Sequence, residues 1–362
     1  MVEPPGAPRN AIAMSITCSP PPTREVRPDD SQHIAVVIPC YRVRTHTLQF
    51  IAGIGPEVGR IIAVDDACPE ASGAWIRAHC TDPRVIVVQH EQNQGVGGAT
   101  LIGYHHALQA SAHVVVKLDG DGQVDAGLLP RFANPLLSGH ADYAKGNRFH
   151  RVGFVRGMPW VRLAGNAALS FMTKLSSGYW RISDPTNGYT AIRSEVLYGL
   201  ELEGIAKRYF FESDLLYHLN QVRAVVIDVP MRAGYENETS SLSPLRILGP
   251  FLLGHLRIAL RRRFYSYGIR GFSQARVELL LGSVLLAGGG IFGLWWRWCL
   301  SADSGVPATA GTVMIAGLPI IMGMQMLLSW LNFDEASEPL QPVHRLLGVE
   351  QALRSVIRKP RQ

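Results

Sequence analysis

Two uncharged runs near the carboxyl end, residues 279–296 and 304–333, restrict what this chain can become more than any other stretch. Each is long enough to cross roughly 30 Å of hydrocarbon as a helix, so both are expected to span a membrane. Trp295, Trp296 and Trp298 gather at one end of the first run and Trp330 lies near the end of the second, as an aromatic belt would place them. The connector at residues 301–304 is short and carries no Lys or Arg. Arginines precede the first run, and Arg345, Arg354, Arg358 and Lys359 follow the second, so the positive-inside rule puts both termini and the preceding domain in the cytoplasm. Gly288, Gly289 and Gly290 permit close helix contact within or between subunits, which leaves a homo-oligomer open. The alternative is a buried helical hairpin in a soluble protein.

Upstream, residues 243–275 begin with Ser243-Pro244, a cap-and-first-turn pair. Leu252, Leu256, Leu260 and Phe264 then recur at near-helical spacing against Arg257, Arg261, Arg262 and Arg263. This pattern predicts an interfacial helix, broken near Pro250. The competing reading packs the helix on the preceding domain with its arginines in water. The net charge is +6 and the pI about 9.2, and the excess crowds here, with Arg270 and Arg276 added to the four above. Anionic membrane lipid is the expected partner. Nucleic acid is not, because no Lys/Arg stripe interleaved with aromatics occurs elsewhere. Cys18, Cys40, Cys68, Cys80 and Cys299 are widely spaced and form no Cys-x-x-Cys pair, which suits reduced thiols.

Residues 1–32, rich in Pro, Ser, Asp and Arg, read as a disordered leader without a signal-peptide pattern. From residue 33 the chain alternates strand-length apolar runs, at 34–38, 60–64, 85–88 and 113–118, with helix-length segments, predicting an α/β fold with a parallel sheet. Polar or Gly-rich turns follow each run, and right-handed crossovers bring those turns to one edge. After the fourth run comes KLDGDGQ, residues 117–123, which sets Asp119, Asp121 and Gln123 at alternate positions where the strand ends. Oxygen donors so placed suit a Mg2+ or Mn2+ that also takes diphosphate oxygens. An ordinary turn is the bland reading. Asp65 and Asp66 can accept hydrogen bonds from a nucleotide, while Asn93, Gly95 and the helix start after Gly97 can line its pocket; helix capping is the alternative for both turns.

The ordered series VVIPCYR, AVDDACPE, NQGVGGA, KLDGDGQ, GNRF, DPTNGYTAI, FFESDLLYHL and MRAGYENETSSL, covering residues 33–242, resembles family 2 glycosyltransferases of the GT-A fold. It is particularly similar to the polyprenyl-phosphate sugar transferases related to dolichol-phosphate mannose synthase. The resemblance implies that Pro39, Tyr41, Asp65, Asp66, Asn93, Gly95 and Asp119 bind the nucleotide-sugar donor, and that Asp119, Asp121 and Gln123 hold the metal. It implies a phosphate-facing Arg148 and an acceptor side built from Arg162, Asn166, Asp184 and Asn187. Two departures stand out. Arg42-Val43 replaces the family's Asn-Glu, and Asp-Gly-Asp-Gly-Gln replaces Asp-Ala-Asp-Leu-Gln while keeping all three oxygen donors.

Glu212 and Asp214 lie two apart, so on a helix at most one faces the site. Where relatives glycosylate a sugar hydroxyl, an acidic residue in the matching segment serves as general base, which makes Asp214 the candidate here. A polyprenyl phosphate is already ionised and needs no base. The expected activity is sugar transfer from a GDP- or UDP-sugar to a polyprenyl phosphate carrier. One alternative extends a lipid-linked glycan with Asp214 as base; another, of a different class, is a non-catalytic membrane scaffold. The expected order is a leader (1–32), a GT-A domain (33–242), an amphipathic juxtamembrane segment (243–275), two transmembrane helices (276–333) and a cytosolic tail (334–362).

Overall fold

The four apolar runs become β1 (Ile34–Cys40), β2 (Arg60–Asp65), β3 (Val85–Gln89) and β4 (Val114–Lys117), all parallel in the computed structural model. The structure describes residues 34–120, 124–151, 160–232, 244–271, 273–296, 302 and 305–347. The leader, Asp121, Gln123, Trp298 and the end of the tail lie outside them. Three further strands complete a seven-stranded sheet: β5 (Tyr143–Asn147), β6 (Thr190–Arg193) and β7 (Val226–Pro230), in the order β3-β2-β1-β4-β6-β5-β7. β6 runs antiparallel to both neighbours, while β5 and β7 are parallel to each other. These three are four or five residues long and carry Lys, Asn, Arg or Asp; no apolar run announces β5 or β6, and β7 begins within the short apolar run 224–227. The expected mainly parallel α/β sheet followed by two long apolar helices is what the chain forms.

Both faces of the sheet are covered, as parallel strands require. Ile34, Val36 and Ile38 of β1 point to one core, with Phe50 and Ile51 of α1 (Arg44–Ala52), Ile76 of α2 (Ser72–His79) and Phe132 of α4 (Leu129–Leu137). Ala35 and Val37 point to the other, with Tyr104 of α3 (Val96–Gln109), Val196 of α6 (Ser194–Gly199) and Leu215 of α7 (Phe211–Gln221). α5 (Trp160–Ser177) lies between the sheet domain and α8 (Pro244–Arg263).

α8 runs unbroken through Pro250, contrary to the expected interruption. A proline forfeits one hydrogen bond, and the packing of α8 against α5 and α7 holds the remainder of the helix in line. His255, Ile258, Ala259 and Arg262 are buried on one side, while Leu252, Leu256, Leu260 and Phe264 are each more than half exposed on the other. The helix therefore packs on the domain and still presents its leucine stripe outward. His255 sits among Phe210 and Phe251, its Nδ1 2.9 Å from Ser176 Oγ, and burial pulls its pKa down to about 4. The unfolded chain then takes up this proton first, so the contribution to stability is present above pH 6.5 and lost as the pH falls toward about 4. Thermal unfolding across that window should show wild type losing stability relative to His255→Gln.

A π-helical turn (Phe264–Ile269) leads into α9 (Gln274–Trp295), which pairs with α10 (Ala310–Ala336). At 1.5 Å per residue their 22 and 27 residues extend about 33 and 40 Å. Trp295 is exposed, as a belt residue would be, but Trp330 is buried beneath Arg263 and Tyr267. The base of the hairpin docks on the domain, and Trp330 fills that joint. After α10 the chain returns to the sheet: Asp142, just before β5, accepts hydrogen bonds from the backbone of Val343 and His344 and from the His344 ring.

Of the three consecutive glycines only Gly289 meets the partner helix, at Ala316, together with Gly282 and Gly323; Gly288 and Gly290 face open space. A side chain at 323 would strike the backbone of Leu286 and Gly282. Gly323→Leu should destabilise the hairpin by about 1–3 kcal/mol through overpacking, and Gly288→Leu should leave thermal unfolding in detergent unchanged.

Candidate active site

The carboxyl edge of the sheet has its crevice where the strand order reverses, between β1 and β4. Pro39, one residue before the end of β1, lies opposite Val64, and Tyr41 just beyond the strand is exposed. Arg42 takes a left-handed φ of 59° and donates its N–H to Cys68 Sγ at 3.1 Å. Across the crevice Gly120 lies against the Pro39 carbonyl, and Asp119 stands beyond the end of β4 with its side chain 38 % exposed. Lys117 Nζ holds Asp119 Oδ1 at 2.9 Å and Glu212 Oε1 at 3.1 Å. Burial would strip the proton from this lysine, but the two carboxylates more than offset it and raise its pKa above the usual range. Gly188 presses directly on Asp119 Oδ2, and a methyl group at 188 would occupy the same space.

Asp65 and Asp66 are buried, and their carboxylates serve the backbone. Asp65 accepts from the N–H groups of Cys68 at 2.8 Å and Gly73 at 2.7 Å, capping the turn into α2. Asp66 accepts from Gln94 N–H at 2.9 Å and Gly95 N–H at 2.7 Å, with His90 Nδ1 2.7 Å away. Asn93 Nδ2 returns to the Asp66 carbonyl. α3 starts at Val96, two residues earlier than expected, and Gly98 donates its N–H to the Lys207 carbonyl. Gly95, at φ 89°, lies so close to that carbonyl that a side chain has neither the conformation nor the space. Asp66→Ala removes acceptors from buried donors and should lower stability by about 2–3 kcal/mol in chemical denaturation, while Asp66→Asn should lose less.

The opposite wall comes from the turn before β6. Because β6 is antiparallel, its entry lies at the same edge as the ends of β4 and β5. Asp184, at φ 54°, receives Arg148 through Nε at 2.6 Å and Nη2 at 2.7 Å. Burial works to raise the Asp184 carboxyl, but the Arg148 hydrogen bonds and charge outweigh it and lower its pKa. Asn187 Nδ2 reaches Asp184 Oδ2, and the Asn187 carbonyl accepts from Lys145 Nζ at 2.8 Å. Beneath this wall a row of side chains in register crosses the sheet: Lys117, Thr190, Lys145 and Asp228. Burial pulls Lys145 down to about 8 against the fields of Glu212 and Asp184, and pushes Asp228 up to about 7.

Of the acidic pair on α7, Glu212 is the member that meets Lys117. Asp214 is turned elsewhere and accepts the Ala206 N–H at 2.8 Å, its carboxyl pushed up by burial against that bond and the charges of His218, Arg261 and Arg257. Asn166 is half-buried on α5, and the side chain of Arg162 lies outside the described residues. Lys117, Lys145 and Asp228 were not singled out as site residues by sequence reasoning, and of the Glu212/Asp214 pair it favoured Asp214. Their signal is a charged residue inside an otherwise apolar strand or first helical turn, which becomes meaningful only when the strands are set side by side. The described part of the expected metal set is Asp119, a partly exposed oxygen donor of the kind that suits Mg2+ or Mn2+. Among the described residues no three His, Cys, Asp or Glu side chains form a metal cluster.

The family model described as Glycosyl transferase family 2 matches residues 35–200. Polyprenol monophosphomannose synthase of Mycolicibacterium smegmatis is 32 % identical over 212 residues, 57 % of this chain and 78 % of that protein. A Methanococcus voltae UDP-N-acetylglucosamine–dolichyl-phosphate N-acetylglucosaminyltransferase is 32 % identical over 152 residues; the match spans 42 % of this chain and only 60 % of that relative's length. Dolichol-phosphate mannosyltransferase of Pyrococcus furiosus is 26 % identical over 57 % of this chain and 58 % of its own. Among solved structures, Mycobacterium tuberculosis glucosyl-3-phosphoglycerate synthase with Mn2+, uridine diphosphate and glucosyl-3-phosphoglycerate aligns with a TM-score of 0.47 at 21 % identity, covering 63 % of this chain and 79 % of that one.

Proposed function

Because this chain belongs to glycosyl transferase family 2 and is related to polyprenyl-phosphate sugar transferases, we propose that it transfers a sugar from a GDP- or UDP-sugar to a polyprenyl phosphate at a membrane surface, with inversion at the anomeric carbon. The observation that carries this choice is the state of the α7 carboxylates: Glu212 is held by Lys117, and Asp214 is bound to the Ala206 N–H. A hydroxyl acceptor needs a base to take its proton, whereas a phosphate oxygen attacks already ionised.

In this reading Pro39 and Tyr41 line the nucleoside, while Asp65 and Asp66 hold the 68–73 turn and the 93–95 loop that complete the donor pocket. Asp119, Asp121 and Gln123 bind a Mg2+ or Mn2+, which neutralises the diphosphate leaving group when bound. Lys117 holds Asp119 in place. Arg148, oriented by Asp184, meets the acceptor phosphate as a two-pronged donor, and Asn187, Asn166 and Arg162 extend the acceptor side. The phosphate oxygen forms the new bond to the anomeric carbon as the bond to the nucleoside diphosphate breaks. The exposed leucine stripe of α8 lies in the headgroup layer, with α9 and α10 spanning the bilayer, and the sheet domain and termini on the cytoplasmic side. That arrangement brings a water-soluble donor and a lipid acceptor to one plane.

The test is incubation of purified protein with polyprenyl phosphate, Mn2+ or Mg2+ and labelled UDP- and GDP-sugars, followed by extraction into organic solvent. Label should enter the lipid phase and be lost with EDTA and with Asp121→Ala. Asp214→Asn should retain transfer; its loss, with nucleotide still released on a glycan acceptor, would mean a hydroxyl is the nucleophile. No donor turnover under any condition would leave a non-catalytic scaffold. Lys117→Met should lower kcat/KM by about two orders of magnitude while a folded sheet persists by circular dichroism, since one misplaced positioning group can cost that much.

A further inference from the structure

Where α5 and α7 end, at the foot of the apolar hairpin, the structure contains a second cavity, of about 350 Å³. Its walls include Arg223, Arg262, Arg270, Asn220, Ser266 and Ser273, with Asp334 and Phe333 from the end of α10. Three guanidiniums thus share one carboxylate among the lining residues, and that carboxylate is taken. Arg262 binds Asp334 through both Nη atoms, at 2.8 and 2.9 Å. Arg270 makes one long contact, 3.4 Å, to the Gln221 carbonyl. The Arg223 guanidinium has no hydrogen-bond partner among the described residues. Its backbone takes a left-handed φ of 64°, a conformation that residues with a side chain rarely adopt. Partial burial and the neighbouring Arg270 charge lower its pKa, outweighing the opposing fields of Tyr179, Tyr267 and Asp334.

We propose that this cavity binds the phosphate of an anionic membrane lipid, held between Arg223 and Arg270 with the hydroxyls of Ser266 and Ser273. Guanidiniums match phosphate oxygens in a bidentate way, and basic pockets at the ends of spanning helices are suited to anionic headgroups. The location favours a lipid over a soluble anion. The turn carrying Ser266 leads directly into α9, Phe333 and Asp334 end α10, and Ile269 beside the cavity is two-thirds exposed, an apolar surface for an acyl chain. The cavity is separate from the reaction centre: Glu212 touches Lys117 from the first turn of α7, and Asn220 lies eight residues on, about 12 Å along the helix. The inference rests on the membrane placement proposed above but not on the sugar-transfer reaction.

The test follows thermal unfolding of the full chain in neutral detergent micelles during titration with phosphatidylglycerol, phosphatidylcholine or inorganic phosphate. Phosphatidylglycerol should raise the midpoint saturably, and phosphatidylcholine should not. The Arg223→Gln/Arg270→Gln double variant should need about tenfold or more of the anionic lipid for half-saturation. Ser266→Asp, which keeps both arginines and gives them a carboxylate, should show the same loss and carries the test if the double variant does not fold. Unchanged half-saturation in these variants overturns the site. Saturation by inorganic phosphate at the same concentrations overturns the lipid assignment in favour of a soluble anion. Sugar transfer measured on the same variants reads the reaction separately, so failure of the reaction and failure of this site are distinguishable.

Discussion

A guanidinium sealed against a carboxylate joins the two halves of this molecule. Arg262 of α8 binds both oxygens of Asp334 at the end of α10, and also donates to the carbonyls of Leu175 and Ser176 where α5 ends. Tyr267 and the Trp180 indole complete the shell around Asp334. Burying two charges is costly, and their attraction compensates only when every remaining donor and acceptor is also satisfied. Here both Asp334 oxygens accept two hydrogen bonds each and four Arg262 N–H groups have partners, and only arginine has the planar fork to serve a carboxylate and two helix-end carbonyls together. Glu338 extends the joint by accepting the N–H groups of Trp180 and Arg181. The same loop reaches Ser183 and Asp184 within a few residues, so the segment that anchors the hairpin also enters the crevice wall built by Asp184 and Arg148.

The antiparallel strand β6 has a comparable role inside the sheet. By reversing direction between β4 and β5 it delivers the 184–189 turn to the edge where the parallel strands end, and sets Gly188 against Asp119. It also places Thr190 between Lys117 and Lys145. The two lysines experience different surroundings. Lys117 has two carboxylates and stays charged; Lys145 has a carbonyl and is driven toward neutrality with Asp228. Side chains that local patterning treats as strand irregularities thereby become the floor of the site.

Much of this was legible in the residues. The four apolar runs became four parallel strands at nearly the expected bounds, and the two uncharged runs became the two long helices. The turns after each run came to one edge because parallel strands joined by right-handed crossovers leave no other arrangement. What was not legible depended on partners distant in sequence. Arg262 reads as one of three consecutive arginines on a polar face, yet it is the one that is buried, because Asp334 lies 72 residues away on the helix that packs there. Trp330 reads as a belt residue and is buried in the same joint. Glu212 and Asp214 are indistinguishable as a pair until α7 is docked, when one meets Lys117 and the other an amide.

By itself, then, the order of residues determined the alternating sheet and helices, the polar edge where the strands end and the apolar hairpin, since each follows from local periodicity and run length. Tertiary structure alone decided which carboxylate faces Lys117, which arginine is buried and which glycine lets the helices touch. Those outcomes are contacts between segments tens of residues apart, and burial, which no local window contains, determines the charge and freedom of each group.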